Sequence, residues 1–178
     1  MGALARGESQ KGGTNRTTAV PRGRPIGRMT VDVTTTTTIA RPRDEVAAFA
    51  IDPERVPLWY LNIRSVEWKT EPPLAVGSRI AFVARFLGRR LAYTYEVGEH
   101  VAGTRFVMRT ASGPFPMETT YTWQTTADGR TEMSLRNRGT PGGLWRLLAP
   151  LMRVAIRRAN AKDLAMLKTI LEIRLKRR

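Results

Sequence analysis

The order of the patterned segments constrains the fold of this chain more than any other feature. A β-type run comes first, two short helical stretches follow, then six alternating segments, and a long amphipathic helix comes last. The alternating segments recur at intervals of about ten residues, which is typical of an antiparallel meander. This order predicts one α+β domain in which a curved, seven-stranded antiparallel sheet surrounds a long C-terminal helix, with an apolar space between them.

The segment boundaries follow from alternation and turn signals. We predict the first strand over Val31–Ile39, where β-branched residues alternate, and a short helix through Phe49. A second short helix is predicted to begin at Pro53, with Asp52 as its cap, and to end at Pro57. Six further strands are predicted over Ser65–Thr70, Ser78–Phe86, Arg89–His100, Arg105–Ser112, Met117–Thr126 and Thr131–Arg138. Asp128-Gly129 is the strongest hairpin signal between them.

Alternation also assigns one face of each strand to the interior. Within Met117–Thr126, for example, Tyr121 and Trp123 alternate with Thr120 and Thr122. We expect the inward side chains to form one concave wall, and they are Phe82, Phe86, Leu91, Tyr93, Tyr95, Val97, Phe106, Met108, Met117, Thr119, Tyr121, Trp123, Met133 and Leu135.

The last segment has the period of a helix. From Pro150 to Arg174 it would be about 37 Å long at 1.5 Å per residue, enough to cross the sheet. A projection at 100° per residue gathers apolar side chains on one stripe. They are Leu148, Met152, Ala155, Ala159, Met166, Ile170 and Ile173. We expect this stripe to face the sheet.

Composition excludes several kinds of site. The chain has no cysteine and one histidine, His100. Disulfides, thiolate zinc sites, iron–sulfur clusters, cysteine nucleophiles and multi-histidine metal sites are therefore excluded, and we predict neither a metal nor a cofactor. No uncharged apolar run of about 18 residues is present to span a membrane. Residues 1–28 lack the apolar segment of a secretory signal, so we expect a cytoplasmic protein.

The net charge of +15 is unevenly distributed. Residues 1–28 contain six basic and one acidic residue (+5), residues 29–145 contain 14 and 12 (+2), and residues 146–178 contain 10 and 2 (+8). Since 25 of the 30 basic residues are arginines, a skew typical of GC-rich genomes, the charge does not favour nucleic-acid binding. We predict a disordered basic extension over residues 1–28, because its polar composition cannot offset the entropy of ordering, and a ligand-binding domain over residues 29–178. Alternatively, translation starts at Met29, and residues 1–28 are an extension of the gene model.

Several motifs within this order resemble the helix-grip fold of the START, polyketide cyclase and birch-pollen-allergen superfamily, over about Met29 to Leu175. They are Ile39-Ala40 with Glu45-Val46 and Phe49, Asp52-Pro53-Glu54 with Trp59, Pro73-Leu74 with Val76-Gly77, Tyr95-Glu96-Val97, and Asp163-Leu164 with Leu167-Lys168 and Glu172. They are most similar to the bacterial polyketide cyclase/dehydrase-like branch. The resemblance implies a cavity for a lipid, quinone or polyketide-like molecule between the sheet and the helix, but no particular reaction.

The predicted cavity is lined by inward aromatic, methionine and threonine side chains, namely Trp59, Phe82, Tyr93, Tyr95, Met108, Thr119, Tyr121, Trp123, Met133, Met152 and Met166. Pockets of this kind combine an apolar wall with a few polar groups, which Tyr93, Tyr95, Tyr121 and Thr119 would supply. Methionine adapts to varied ligand shapes. The alternative is that the same residues fill a solid core. Trp59 either gates the mouth of the cavity or plugs the edge of the core.

Asp163 is the candidate catalytic residue, because it lies beside the apolar stripe of the helix. One interpretation is a general base or ligand anchor with a raised pKa. The other, which we favour, is a salt bridge or hydrogen bond at the flank of the helix. His100 ends a strand, where a solvated side chain is expected.

Three functions therefore remain open. We favour binding of a small hydrophobic ligand over a polyketide cyclase or dehydratase activity and over a ribosome- or RNA-associated role. The basic C-terminal residues, which are Arg174, Lys176, Arg177 and Arg178, either contact anionic lipid headgroups or form a solvated helix end. The sequence predicts no oligomeric state.

Overall fold

The structure is a computed structural model that describes residues 31–86, 88–142 and 147–174. The predicted boundary between the N-terminal extension and the domain lies outside these residues. The basic residues 176–178 also lie outside them, as do the side chains of Phe86 and Arg174.

The described residues form one antiparallel sheet, short helices that follow its first strand, and a long final helix. The elements are β1 (Val31–Ile39), α1 (Arg43–Ile51), α2 (Val56–Trp59), β2 (Ile63–Trp68), β3 (Arg79–Phe86), β4 (Arg89–Val101), β5 (Arg105–Ser112), β6 (Met117–Thr125), β7 (Thr131–Gly139) and α3 (Ala149–Thr169), which continues as a π-helical turn (Ile170–Arg174). The strand order is β1-β7-β6-β5-β4-β3-β2. This open, curved, seven-stranded sheet with its long C-terminal helix confirms the predicted α+β helix-grip architecture.

The second short helix differs from the prediction. α2 begins at Val56, so the predicted start at Pro53 with Asp52 as the cap is wrong, and Pro57 lies in the first turn instead of ending the helix. Asp52 instead stabilises the turn before α2, where its Oδ1 accepts the N–H of Glu54 at 3.0 Å. An Asp-Pro pair favours both arrangements, because the same side chain can cap a turn or a helix.

The inner face of the sheet is the one that alternation predicts. Its buried side chains include Phe82, Tyr95, Val97, Phe106, Met108, Thr119, Tyr121, Trp123, Met133 and Leu135. Leu91, Tyr93 and Met117 are half-buried. Together with Val46 and Phe49 of α1, these strands form the main apolar cluster of the protein.

The face of α3 that meets the sheet differs from the predicted stripe. Leu148 is 40% exposed, Met166 36% and Ile173 59%, so the stripe is wrong at these positions. The buried side chains within α3 and its π-helical end are Ala149, Met152, Asn160, Asp163, Leu164, Leu167, Ile170 and Leu171. The face of α3 that packs on the sheet contains the polar residues Asn160 and Asp163. A projection that searches for apolar residues alone therefore assigns the buried face to other positions.

The apolar interior consists of two clusters, and α3 contributes side chains to both. The main cluster includes Leu164, Leu167 and Leu171 from the C-terminal half of the helix. A smaller cluster joins Val31, Val33, Ala149 and Met152, with Phe115 and Ile156 packed against it. The N-terminal half of α3 is therefore held over the sheet by few apolar contacts.

Candidate functional site

A cavity of about 170 Å³ lies between the inner face of the sheet and the N-terminal half of α3. Its wall is mostly apolar and comes from α1, α2, all seven strands and the underside of α3, which contributes Met152, Ile156, Ala159, Asn160 and Asp163. An engineered cavity of about 150 Å³ in another protein binds benzene. The space under α3 therefore matches roughly one substituted aromatic ring.

Seven of the eleven predicted cavity residues line this space, namely Phe82, Tyr93, Tyr95, Met108, Thr119, Tyr121 and Met152. The structure does not bring the other four to the wall. Trp59, Trp123 and Met133 are buried behind it in the core, and Met166 lies on the outer side of α3. Trp59 is 0% exposed and packs on Tyr60 with 4.7 Å between ring centroids, as the plug alternative predicts.

Sequence reasoning missed five polar residues of the wall, namely Tyr60, Asn62, Asn137, Arg138 and Asn160. Asn137 continues the inward alternation of Met133 and Leu135 along β7, so the signal for it was present. Asn160 is three residues before Asp163 and therefore shares its helix face. Tyr60 follows α2 in a turn and carries no periodic signal. With Tyr60 included, all four tyrosines of the chain line the cavity.

A chain of hydrogen bonds crosses the cavity wall from the sheet to the helix. The Thr119 hydroxyl donates to Asn137 Oδ1 at 2.8 Å, and Asn137 Nδ2 donates to Asn160 Oδ1 at 3.0 Å. The Tyr95 hydroxyl lies 3.2 Å from Thr119 Oγ1 and is the donor there, because the Thr119 proton is already committed. Connected buried polar groups hold one another in place, so this chain fixes the orientation of Asn160.

Three buried side-chain atoms of the lining residues remain without a partner within the described chain, namely Arg138 Nε and two atoms on the underside of α3. Asp163 Oδ1 accepts the N–H of Leu61 at 2.9 Å, whereas its Oδ2 has no hydrogen-bond partner within the described chain. The same holds for Asn160 Nδ2. Both side chains are at most 2% exposed. Asp163 thus makes the hydrogen bond that we expected, but the described residues give it no ion pair. Leaving such a group unpaired costs about 1–3 kcal/mol.

The titration behaviour of the site follows from its burial. Burial raises the pKa of Asp163 from 3.8 to about 6, although the hydrogen bond from Leu61 opposes this shift. Burial also raises the pKa of Tyr95 to about 12, and it raises the pKa values of Tyr60, Tyr93 and Tyr121 well above their usual value, with further contributions from neighbouring tyrosines and Asp163. At neutral pH the four tyrosines are neutral hydroxyls, and Asp163 is close to its titration range.

The arrangement of sheet, helix and cavity has a counterpart among known families. Residues 30–172 match a family model described as polyketide cyclase / dehydrase and lipid transport. The chain belongs to this family. No curated protein sequence matches it significantly. The match places the chain in the superfamily that its motifs resemble.

Solved structures with the same fold are similar over most of this chain. The Zhui aromatase/cyclase from a Streptomyces species has a TM-score of 0.70 and 17% identity, covering 83% of this chain and 96% of that one. A protein from Thermus thermophilus has a TM-score of 0.69 and 19% identity (79% and 96% covered). A START superfamily protein from Mycobacterium smegmatis has a TM-score of 0.65 and 12% identity (79% and 96% covered). At these identities the likeness shows the fold.

The family and these neighbours fit both hydrophobic-ligand binding and a polyketide cyclase/dehydrase-type function. Neither the family description nor the three structures point to RNA. No helix of the described residues is long and apolar enough to cross a bilayer. Among the same residues, no group of three or more acidic or histidine side chains is arranged to hold a metal ion.

Proposed function

We propose that this protein binds one small hydrophobic molecule in the cavity under the N-terminal half of α3. The observation that carries the proposal is the cavity itself, which is about 170 Å³ in volume and has a mainly aromatic and aliphatic wall. Apolar area that leaves water would drive binding, at about 25 cal/mol per Å². The size of the cavity favours a ligand with one ring, or one ring of a longer molecule that enters when the start of α3 moves.

Two measurements test this proposal. The first is native mass spectrometry of the protein purified from its own host, where we expect a stoichiometric apolar adduct. The second is calorimetric titration with a one-ring probe, propylbenzene, on two matched variants. Ala159 lines the cavity, so Ala159→Leu fills part of it and should weaken binding at least about tenfold. Ala165 is exposed on the same helix, so Ala165→Leu should bind like the wild type.

Equal affinities of the wild type and Ala159→Leu would place the binding site elsewhere. A clean mass without adduct, combined with no binding of propylbenzene or of a panel of quinones, fatty acids and aromatic polyketide fragments, would contradict hydrophobic-ligand binding altogether.

Asp163 supports a second candidate, a cyclase or dehydratase activity. Its free Oδ2 belongs to the cavity wall, and a carboxyl with a pKa of about 6 is suited to proton transfer near neutral pH. Asp163 would accept a proton from a carbon next to a ligand carbonyl, while a neutral tyrosine hydroxyl such as that of Tyr60 donates to the carbonyl oxygen. For such an enzyme, Asp163→Asn should abolish turnover and retain binding. Unchanged turnover would exclude Asp163 as the base.

Exposed apolar side chains at the start of α3 support a peripheral contact with anionic membranes. They are Leu147, Leu148, Leu151 and Val154, which are 40–76% exposed. The basic residues Arg153, Arg157, Arg158 and Lys162 are exposed within the next turns of the same helix. Apolar side chains would enter the headgroup region, and each nearby cation adds about 1 kcal/mol at an anionic surface. The predicted contact through residues 174–178 concerns side chains outside the described part.

Vesicle sedimentation tests this contact. Vesicles with about one third phosphatidylserine should retain the wild type, and retention should fall with added salt. A double variant with Leu151→Gln and Val154→Gln should lose most of the retention. The control carries Val76→Gln and Val101→Gln, which alter exposed apolar side chains elsewhere on the protein. Equal losses in both double variants would contradict a specific surface on α3.

A further inference from the structure

The underside of α3 contributes two unpaired atoms to the cavity wall, and both are held in fixed positions. Asn160 uses Oδ1 to accept Asn137 Nδ2 at 3.0 Å, which leaves its Nδ2 donor free. Asp163 uses Oδ1 to accept the Leu61 N–H at 2.9 Å, which leaves its Oδ2 acceptor free. Each side chain is thus oriented by one hydrogen bond and keeps one unsatisfied atom. Unpaired buried polar groups are rare in folded proteins, and each requires an explanation.

The spacing of the two residues brings a donor and an acceptor side by side. Residues three apart on a helix are neighbours on one face, with about 5–6 Å between their Cβ atoms. Asn160 and Asp163 have this spacing, and both contribute to the wall of the same cavity. A single small group of a ligand can therefore reach both side chains, provided that it offers an acceptor to Asn160 and a donor to Asp163.

The charges of the wall restrict the ligand further. Arg138 is the one cationic side chain among the described lining residues, and its Nη2 donates to Glu118 Oε1 at 2.7 Å, while its buried Nε has no partner within the described chain. The charge of Arg138 is thus paired with Glu118, and a ligand carboxylate at Asn160 and Asp163 would be repelled by the aspartate. The polar group that fits is neutral.

We propose that Asn160 and Asp163 recognise a neutral hydroxy-carbonyl group, in which a carbonyl oxygen and a hydroxyl are carried by neighbouring carbon atoms. The carbonyl accepts from Asn160 Nδ2, and the hydroxyl donates to Asp163 Oδ2. The apolar part of the ligand lies against the aromatic wall. This inference rests on the proposed function, because it names the polar group of the hydrophobic ligand.

Three compounds with the same carbon skeleton test the proposal on the full-length protein by calorimetry at pH 7.5. Propylbenzene has neither polar group, 1-phenylpropane-1,2-dione has two acceptors, and 2-hydroxy-1-phenylpropan-1-one has the acceptor and the donor. The wild type should bind the hydroxyketone roughly tenfold more tightly than either of the other two, since it alone satisfies both free atoms.

The second part of the test uses the variant Asp163→Asn, which we expect to fold like the wild type. Asparagine has nearly the same shape and can still accept the Leu61 N–H, but it presents an N–H₂ donor in place of Oδ2. The variant should therefore lose the preference for the hydroxyketone, because the carbonyl of the dione and the hydroxyl of the hydroxyketone can both accept from the new donor. Asp128→Asn, which removes an exposed carboxylate in the β6–β7 turn, should keep the wild-type order.

The outcomes separate this inference from the proposed function. Equal binding of all three compounds to the wild type would overturn the hydroxy-carbonyl proposal and leave hydrophobic-ligand binding intact. A hydroxyketone preference that persists in Asp163→Asn would also overturn it, because the acceptor would then lie elsewhere. If none of the three compounds binds, hydrophobic-ligand binding in this cavity fails, and the recognition of a hydroxy-carbonyl group fails with it.

Discussion

The two halves of α3 lie over the same sheet but have different surroundings. In the C-terminal half, Leu164 and Leu167 are at most 1% exposed and belong to the main core. Polar contacts to the end of β1 strengthen this half, as Lys168 Nζ donates to the carbonyl of Thr38 at 2.7 Å, and the backbone N–H of Ala40 donates to Glu172 Oε1 at 2.7 Å.

The N-terminal half has the opposite character. Leu151 is 56% exposed and Val154 49%, while Met152 packs only on the smaller cluster. The cavity lies beneath this half, and Asp163 marks the point where cavity wall changes to solid core. The comparison shows that the two ends of α3 have different surroundings, since its C-terminal half packs on the main core and its N-terminal half covers the cavity.

The largest expected difference between the two halves of α3 is in the free energy of unfolding that is lost when a leucine is truncated. Leu167→Ala removes a fully buried side chain and should lower the free energy of unfolding by about 2–5 kcal/mol. Leu151→Ala makes the same chemical change on an exposed surface, so it should alter that free energy by less than about 0.5 kcal/mol. Urea unfolding of both variants measures the two values. Equal losses would mean that the two halves share one core.

The pH dependence of the unfolding free energy tests the burial of Asp163, which lies where the two halves of α3 meet. Burial raises the pKa of Asp163 to about 6 in the folded state, against 3.8 for a solvated aspartate. Between about pH 4 and pH 6 the unfolded chain releases this proton while the folded protein keeps it, so stability falls as the pH rises. Above pH 6 the loss is complete, at roughly 3 kcal/mol.

The variant Asp163→Asn has no carboxyl group that titrates at this position. Subtracting its unfolding free energy from that of the wild type at each pH therefore isolates the contribution of Asp163, because the other titrating groups contribute equally to both proteins. Urea unfolding of both proteins at pH 4, 5, 6 and 7 should show the difference shift by roughly 2.5 kcal/mol against the wild type as the pH rises. A constant difference would mean that the carboxylate is solvated in the folded protein, and that the cavity wall at this point is wet.

The sheet could be predicted from the sequence because period-2 alternation is a direct consequence of strand geometry. The predicted β1 and β5 have the observed bounds, and the Asp128-Gly129 turn closes the β6–β7 hairpin, with Gly129 at φ 77° and the Thr126 N–H donating to the Arg130 carbonyl at 2.8 Å. Left-handed backbone of this kind is readily adopted by glycine, so the signal is local and strong.

The face of α3 and part of the cavity wall could not be predicted in the same way. Asn160 and Asp163 are buried only because partners on β7 and after α2 satisfy one atom of each, and such long-range partners leave no periodic signal. The apolar pattern alone favoured Met166 and Ile173, which are exposed. The sequence pattern also cannot distinguish an inward aromatic or methionine side chain that lines the cavity from one that packs against its neighbours. Trp123 and Met133, for example, were predicted to line the cavity and are buried in the core.

Hydrogen exchange should resolve the smallest difference between the halves. Amides around Val154 and Ala155 should exchange at least about tenfold faster than those around Leu167, because few buried apolar contacts oppose local opening of the N-terminal half. A tenfold difference corresponds to about 1.4 kcal/mol of opening free energy. Mass spectrometry of peptides from each half gives the rates. Ala159→Leu fills part of the cavity and should slow exchange in the N-terminal half alone. Uniform exchange along α3 would instead show that the whole helix opens as one unit, and that the cavity does not destabilise its N-terminal half.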